Sequence, residues 1–178
     1  MAFTSDASNI VPGDTNNSGG IFVRDRLTNT TTRVSVDSAG NPASGFSSSI
    51  SADGRFVAFS SEASKLVPGD TDENGDIFVR DRLTNTTTPV SVNSAGNQTF
   101  SESNFPSISA DGRFVAFESF ASDLVPGDTN NTSDIFVRDT LTNTTTRVSV
   151  DSAGNQRNID SKFPSISEIG RTSCRERV

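Results

Sequence analysis

Ser109-Ala110-Asp111-Gly112-Arg113-Phe114-Val115-Ala116-Phe117 is the stretch on which the reading of this chain turns. Asp111-Gly112 is a tight-turn signal, because Asp-Gly tolerates the positive φ angles that a hairpin demands. The run that follows, Phe-Val-Ala-Phe, is apolar on consecutive residues. Side chains alternate across a strand, so such a run is buried on both faces. Just before it, Pro106 to Ser109 reads as the partner strand.

The same nine residues stand at Ser51 to Phe59, a step of 58 from Asp53 to Asp111. The rest of the unit recurs with them. Val-Pro-Gly-Asp-Thr begins at Val11, Val67 and Val125, Ile-Phe-Val-Arg-Asp at Ile21, Ile77 and Ile135, and Leu-Thr-Asn-Thr-Thr-Thr at Leu27, Leu83 and Leu141. A fixed period of this size marks a repeat architecture, in which each unit buries its apolar faces against its neighbours. Each unit reads as four strands: Pro106–Ser109, Arg113–Phe117, Asp134–Asp139 and Thr145–Val150, with a long polar loop between the second and third. The pattern predicts an all-β chain, a β-propeller fragment of four-stranded antiparallel blades with a period of 56–58 residues. Residues 1–36 are strands two to four of a partial blade, 47–92 and 105–150 are complete blades, and 163–167 are the first strand of a further blade. The expected core comprises Phe56, Phe59, Phe78, Phe114, Phe117, Phe136, Val57, Val115, Ile50 and Ile108. A β-helix is the alternative architecture, and the two Asp-Gly hairpins speak against it.

These motifs resemble a known group. Ser-x-Ser-Ala-Asp-Gly-Arg-x-Val-Ala-Phe followed by Asp-Ile-Phe-Val-x-Asp is similar to the WD40-like β-propeller repeat of TolB-type proteins. The Val-Pro-Gly-Asp-Thr-Asn loop resembles a variant found in bacterial, mostly secreted or surface-associated proteins. The resemblance implies a propeller in an extracytoplasmic setting, whether secreted, periplasmic or at the cell surface. It says little about activity, since propellers host unrelated functions.

Composition narrows the chemistry. With no histidine among 178 residues, a Ser-His-Asp triad is excluded within this chain, as is the commonest metal ligand. A formal net charge of −7 argues against nucleic acid as a partner, which needs a basic face. No apolar run is long enough for a membrane-spanning helix, and the residues after Met1 do not form a signal peptide. The lone Cys174 has no partner for an internal disulfide. Met1 to Thr4 aligns with Val57 to Ser60, so the chain is expected to start inside a second strand. Glu168 to Val178 departs from the repeat and resembles the in-frame translation of a sequencing-adapter oligonucleotide. That tail reads as non-native, the alternative being a diverged cap.

The loop before the third strand carries the one candidate ligand site. Asp70, Asp72, Asn74 and Asp76 place oxygen atoms at alternate positions with Gly75 near the bend, a pattern suited to Ca²⁺, which takes 6–8 oxygens. The third repeat offers Asp128, Asn130, Thr132 and Asp134. The first offers Asp14, Asn16 and Ser18, with Gly20 in place of the last Asp. Expected affinity falls from middle to third to first. Asp81 sits at the twelfth position of an EF-hand-like spacing, but a strand of five steps puts it about 16 Å from Asp76. The competing reading is that these Asp and Asn side chains cap their own turns. The functional expectation is a non-catalytic binding or structural scaffold, calcium-stabilised. Its protein or glycan partner is unidentified, and further blades or a second copy are needed to close the ring. The alternative is a recognition or gating propeller of a larger hydrolase whose catalytic domain lies outside this sequence.

Overall fold

In the Asp-Gly hairpins, Ser51 and Asp53 settle the backbone before any packing is made. The Ser51 hydroxyl donates to the Asp53 carboxylate at 2.6 Å, that carboxylate accepts the Arg55 amide at 3.0 Å, and the Ser51 Oγ accepts the Phe56 amide at 2.9 Å. Ser109, Asp111, Arg113 and Phe114 repeat the pattern. Only the glycine of each turn takes positive φ, 73° at Gly54 and 77° at Gly112. The aspartates, expected to share that conformation, instead act as caps within a type I turn closed by the Gly54 amide on the Ser51 carbonyl.

The computed structural model describes residues 1–12, 14, 18–70 and 73–167. Three antiparallel sheets follow one another. The first holds β1 (Ala2–Ser5), β2 (Gly20–Asp25) and β3 (Thr30–Arg33). The second holds β4 (Ser48–Ile50), β5 (Phe56–Ser61), β6 (Asp76–Asp81) and β7 (Thr86–Pro89). The third holds β8 (Ser103–Ile108), β9 (Phe114–Ser119), β10 (Asp134–Asp139) and β11 (Thr144–Arg147). Strands pair in sequence order, and no helix occurs among the described residues. The fourth strands end about three residues earlier than their β-branched composition predicts. After Arg147 the chain leaves the ladder and folds back, so that Val150 bridges Gln156, as Val92 bridges Gln98 and Val36 bridges Pro42.

The core lies between the sheets. In each Ile-Phe-Val strand the Ile and Val face the following blade while the Phe faces the preceding one. Ile21, Val23 and Val34 thus pack with Val57, Phe59, Leu66 and Phe78. Ile77, Val79 and Val90 pack with Val115, Phe117, Leu124 and Phe136. Seven of the ten expected core residues are buried. Phe56, Phe114 and Ile50 are only half-buried, because they sit at the turn end of the blade. There the Arg55 and Arg113 guanidinium groups cover the Phe56 and Phe114 rings at 4.6 and 4.7 Å. These same arginines form two-pronged pairs with Asp81 and Asp139, at 2.9 and 2.6 Å in each case. The arginines hold both carboxyls well below the usual range. Gly112 is needed for space as well as for φ, since a Cβ there would lie 2.2 Å from the Phe56 ring of the blade before.

A polar joint locks neighbouring blades together. Arg80 donates to the Asp37 carbonyl at 3.0 Å and to Thr87 at 3.2 Å, while Thr87 donates to the Val36 carbonyl at 2.7 Å. One blade on, Arg138, Thr145, Asn93 and Val92 make the same contacts at 3.0, 3.1 and 2.6 Å. Residues 163–167 form no strand here, yet the chain prepares one. Phe163 has φ 56° where Phe105 has 52°, and the Ile166 amide donates to Ser107 at 3.0 Å as Ile108 does to Ser49 at 3.1 Å. The expected non-native tail, 168–178, lies outside the described residues.

Ile77 is fully buried whereas its counterpart Ile135, which among the described residues meets only the 161–166 segment on that face, is partly exposed. Ile77→Ala is expected to cost about 2–5 kcal/mol of unfolding free energy, and Ile135→Ala roughly half of that or less, as read from urea denaturation of the two variants.

Candidate functional site

At one end of each blade, the loop joining the second and third strands meets the segment leaving the fourth strand. All three loops place a carboxylate in this corner, from Asp14, Asp70 and Asp128. The third strand begins beside it, with Gly20, Asp76 and Asp134 at matching positions. The fourth strand ends there too, with Arg33, Pro89 and Arg147.

In the first blade the Arg33 guanidinium pairs with Asp14 at 2.5 Å and donates to the Ala43 carbonyl at 2.8 Å. It lies 5.4 Å from the Phe22 ring centre, a favourable cation–π distance. Gly20 makes the room: a Cβ there would stand 2.6 Å from the Arg33 Cζ. In the third blade Arg147 lies 3.2 Å from Asp128 and 3.8 Å from Asp134. The Gln156 amide donates to Asp128 at 2.8 Å, Asn130 donates to Asp134 at 2.8 Å, and the Ser149 hydroxyl donates to Asp134 at 2.5 Å. Burial pushes the Asp128 carboxyl up, Arg147 pulls it back down and Asp134 pushes it up again.

The middle blade differs. Pro89 brings no cation to the corner. The Gln98 amide reaches both acids, donating to Asp70 at 2.9 Å and to Asp76 at 2.8 Å, and the Ser91 hydroxyl donates to Asp76 at 2.5 Å. Beside them opens a cavity of about 470 Å³, lined by Val67, Asp70, Asp76, Phe78, Pro89 and Gln98 among others.

The residues singled out for Ca²⁺ are therefore brought together unevenly. Asp70 and Asp76 share one corner, as do Asp128 and Asp134, and Asn130 joins the latter pair. Asn74 donates to the Phe100 carbonyl at 3.1 Å. Asp14 is ion-paired, and Asn16 and Asp72 lie outside the described residues. Among the described residues no three acidic side chains converge as metal ligands. Asp81 is committed to Arg55 at the other end of its strand. Sequence reasoning missed Arg33, Arg147, Gln98 and Gln156. The visible signal was the change from Thr-Thr-Thr-Arg to Thr-Thr-Thr-Pro and back again.

No family model matches the chain, and no curated protein matches it. Solved structures do. A protein from Agrobacterium tumefaciens assigned as a TolB is 15% identical with a TM-score of 0.49, over 75% of this chain and 42% of that one. TolB from Acinetobacter baumannii is 17% identical with a TM-score of 0.45, over 78% of this chain and 28% of that one. The tricorn protease is 18% identical with a TM-score of 0.45, over 67% of this chain and 11% of that one. The chain thus spans less than half the length of each, and the likeness concerns the fold alone.

Arg147→Ala leaves the fully buried Asp134 and the Asp128 carboxylate without their cation. It is expected to cost on the order of 3 kcal/mol. A carboxyl raised by burial holds its proton more tightly folded than unfolded, so the folded state loses ground as pH rises above the usual carboxylate range. Removing Arg147 raises Asp128 further. Thermal melts of the variant should therefore show a larger deficit against the parent at pH 7.5 than at pH 5.

Proposed function

We propose that this chain is a non-catalytic arc of propeller blades, a binding or structural scaffold completed by further blades in a bacterial, extracytoplasmic setting. The polar joint between blades carries the reading. Arg80 and Thr87 clasp the 36–38 turn, and Arg138 and Thr145 clasp the 92–94 turn. The first blade presents the clasp half, Arg24 hydrogen-bonded to Thr31 at 3.0 Å, with no earlier turn in it. The third blade presents the turn half, at residues 150–152, and no clasp among the described residues grips it. The apolar faces agree: Ile77 and Val79 are buried under the next blade, while Ile135 and Val137 are half-exposed. One end is thus complementary to the other, and a further blade on either end would complete the same joint.

The acidic side chains favour the scaffold role over catalysis. Asp53 and Asp111 hold turns, Asp81 and Asp139 hold arginines, and Asp25, Asp37 and Asp151 accept backbone amides of their own loops. A cation is where the three repeats diverge. The first and third corners hold an internal guanidinium, so a cation from outside the chain is proposed only for the middle corner.

Sedimentation velocity across a concentration series tests the open-arc reading. Concentration-dependent association, weakened by Arg24→Ala with Thr31→Val, is the expected result. A monodisperse monomer with a cooperative melt over the whole range would overturn it.

A further inference from the structure

The three corners form an internal comparison in which the same pocket is seen twice filled and once open. Arg33 fills the first: its guanidinium pairs with Asp14, lies against the Phe22 ring and donates to a backbone carbonyl. Arg147 fills the third, between Asp128 and Asp134. The middle pocket keeps the parts that receive a guanidinium. Asp70 stands where Asp14 and Asp128 stand, Asp76 where Asp134 stands, Phe78 where Phe22 stands and Gln98 where Gln156 stands. The arginine itself is replaced by Pro89, and a cavity of about 470 Å³ lies there. The charge follows suit. Among the described residues, one carboxylate faces one guanidinium in the first corner and two face one in the third, while in the second the partners of Asp70 and Asp76 include the neutral Gln98 amide.

We propose that this middle cavity receives the guanidinium of an arginine side chain carried by a partner polypeptide, completing in trans the pairing its neighbours make in cis. The inference rests on the reading of the chain as a binding module. The walls choose among cations. Val67, Phe78 and Pro89 offer apolar and aromatic surface, which suits a weakly hydrated planar guanidinium and its aliphatic stem. A calcium ion instead requires 6–8 oxygens around a small sphere. Gln98 gives up Asp76 but keeps Asp70, since of the two acids in the third corner Gln156 reaches Asp128 alone. In the third blade Gln156 donates to the same Asp128 oxygen that faces Arg147, at 2.8 and 3.2 Å, so amide and guanidinium coexist on one carboxylate.

The test is a titration of the whole chain with N-acetyl-arginine amide, followed by the NMR signals of the Gln98 side-chain amide and the Phe78 ring. N-acetyl-citrulline amide, the same shape without the charge, and CaCl₂ serve as parallel titrants. The expected result is saturable arginine binding in the millimolar range, as befits a single side chain, at least about tenfold tighter than citrulline. It should be lost in Pro89→Arg, which closes the pocket from within, weakened in Asp70→Asn and retained in Pro89→Ala. Pro89→Arg should also melt higher than the parent, since it restores the arrangement of the neighbouring blades. No saturation by the arginine probe, equal binding of citrulline, binding unchanged in Pro89→Arg, or saturation by Ca²⁺ alone would each overturn the proposal. Sedimentation of the same samples reads the open arc independently, so a silent pocket and a failed module are told apart.

Discussion

The packing of an Ile-Val face on a Phe face is the contact from which everything else in this chain follows. A single four-stranded blade has apolar side chains on both sides and no way to cover either alone. Only 31% of the residues are hydrophobic, and the interleaved Ile-Phe-Val strands concentrate the best-buried of them between blades. The polar joint then fixes the angle at which the faces meet. Its arginines are buried against backbone carbonyls of the neighbouring turn, where burial lowers their affinity for the proton. The contact is thus apolar for free energy and hydrogen-bonded for geometry.

The strand ends at the corner vary between repeats while the loop residues Leu66 and Leu124 stay in the contact. Substituting Gly for Asp at position 20 and Pro for Arg at position 89 leaves β2 and β6 paired in the same register with their neighbours. One scaffold therefore presents three electrostatic versions of one pocket. Among the described residues, the first pairs one arginine with one aspartate, the third sets one arginine against two, and the middle one has Pro89 in the arginine's place.

The repeat made the fold legible. The Asp-Gly turns and the doubly apolar Phe-Val-Ala-Phe run located the hairpins, and equal spacing showed that each face must pack on a copy of its opposite. Where the reading fell short, the cause was position within the blade. Phe56 and Phe114 have the composition of core residues, but they sit at the turn, where an arginine side chain rather than another blade covers them. The fourth strand stopped at Arg147 because its last residues turn to meet Gln156, a pairing that β propensity does not encode. The corner was half-legible. Its carboxylates were picked out by spacing. Their arginines lie 19 residues further on, at the end of another strand, and only the folded backbone brings them together.

The interchangeable joint carries a liability during assembly. Arg80 and Arg138 make matching contacts with Thr87 and Thr145, and the turns they grip differ only in carrying Asp37 or Asn93 at the accepting carbonyl. A nascent blade therefore has several equivalent docking sites, on its own chain and on any neighbour of the same sequence. Swapped and skipped pairings would keep the same hydrogen bonds and differ from the correct one chiefly in loop closure. Faithful order in such an array has to come from time rather than chemistry, with each blade docking on the one synthesised just before it.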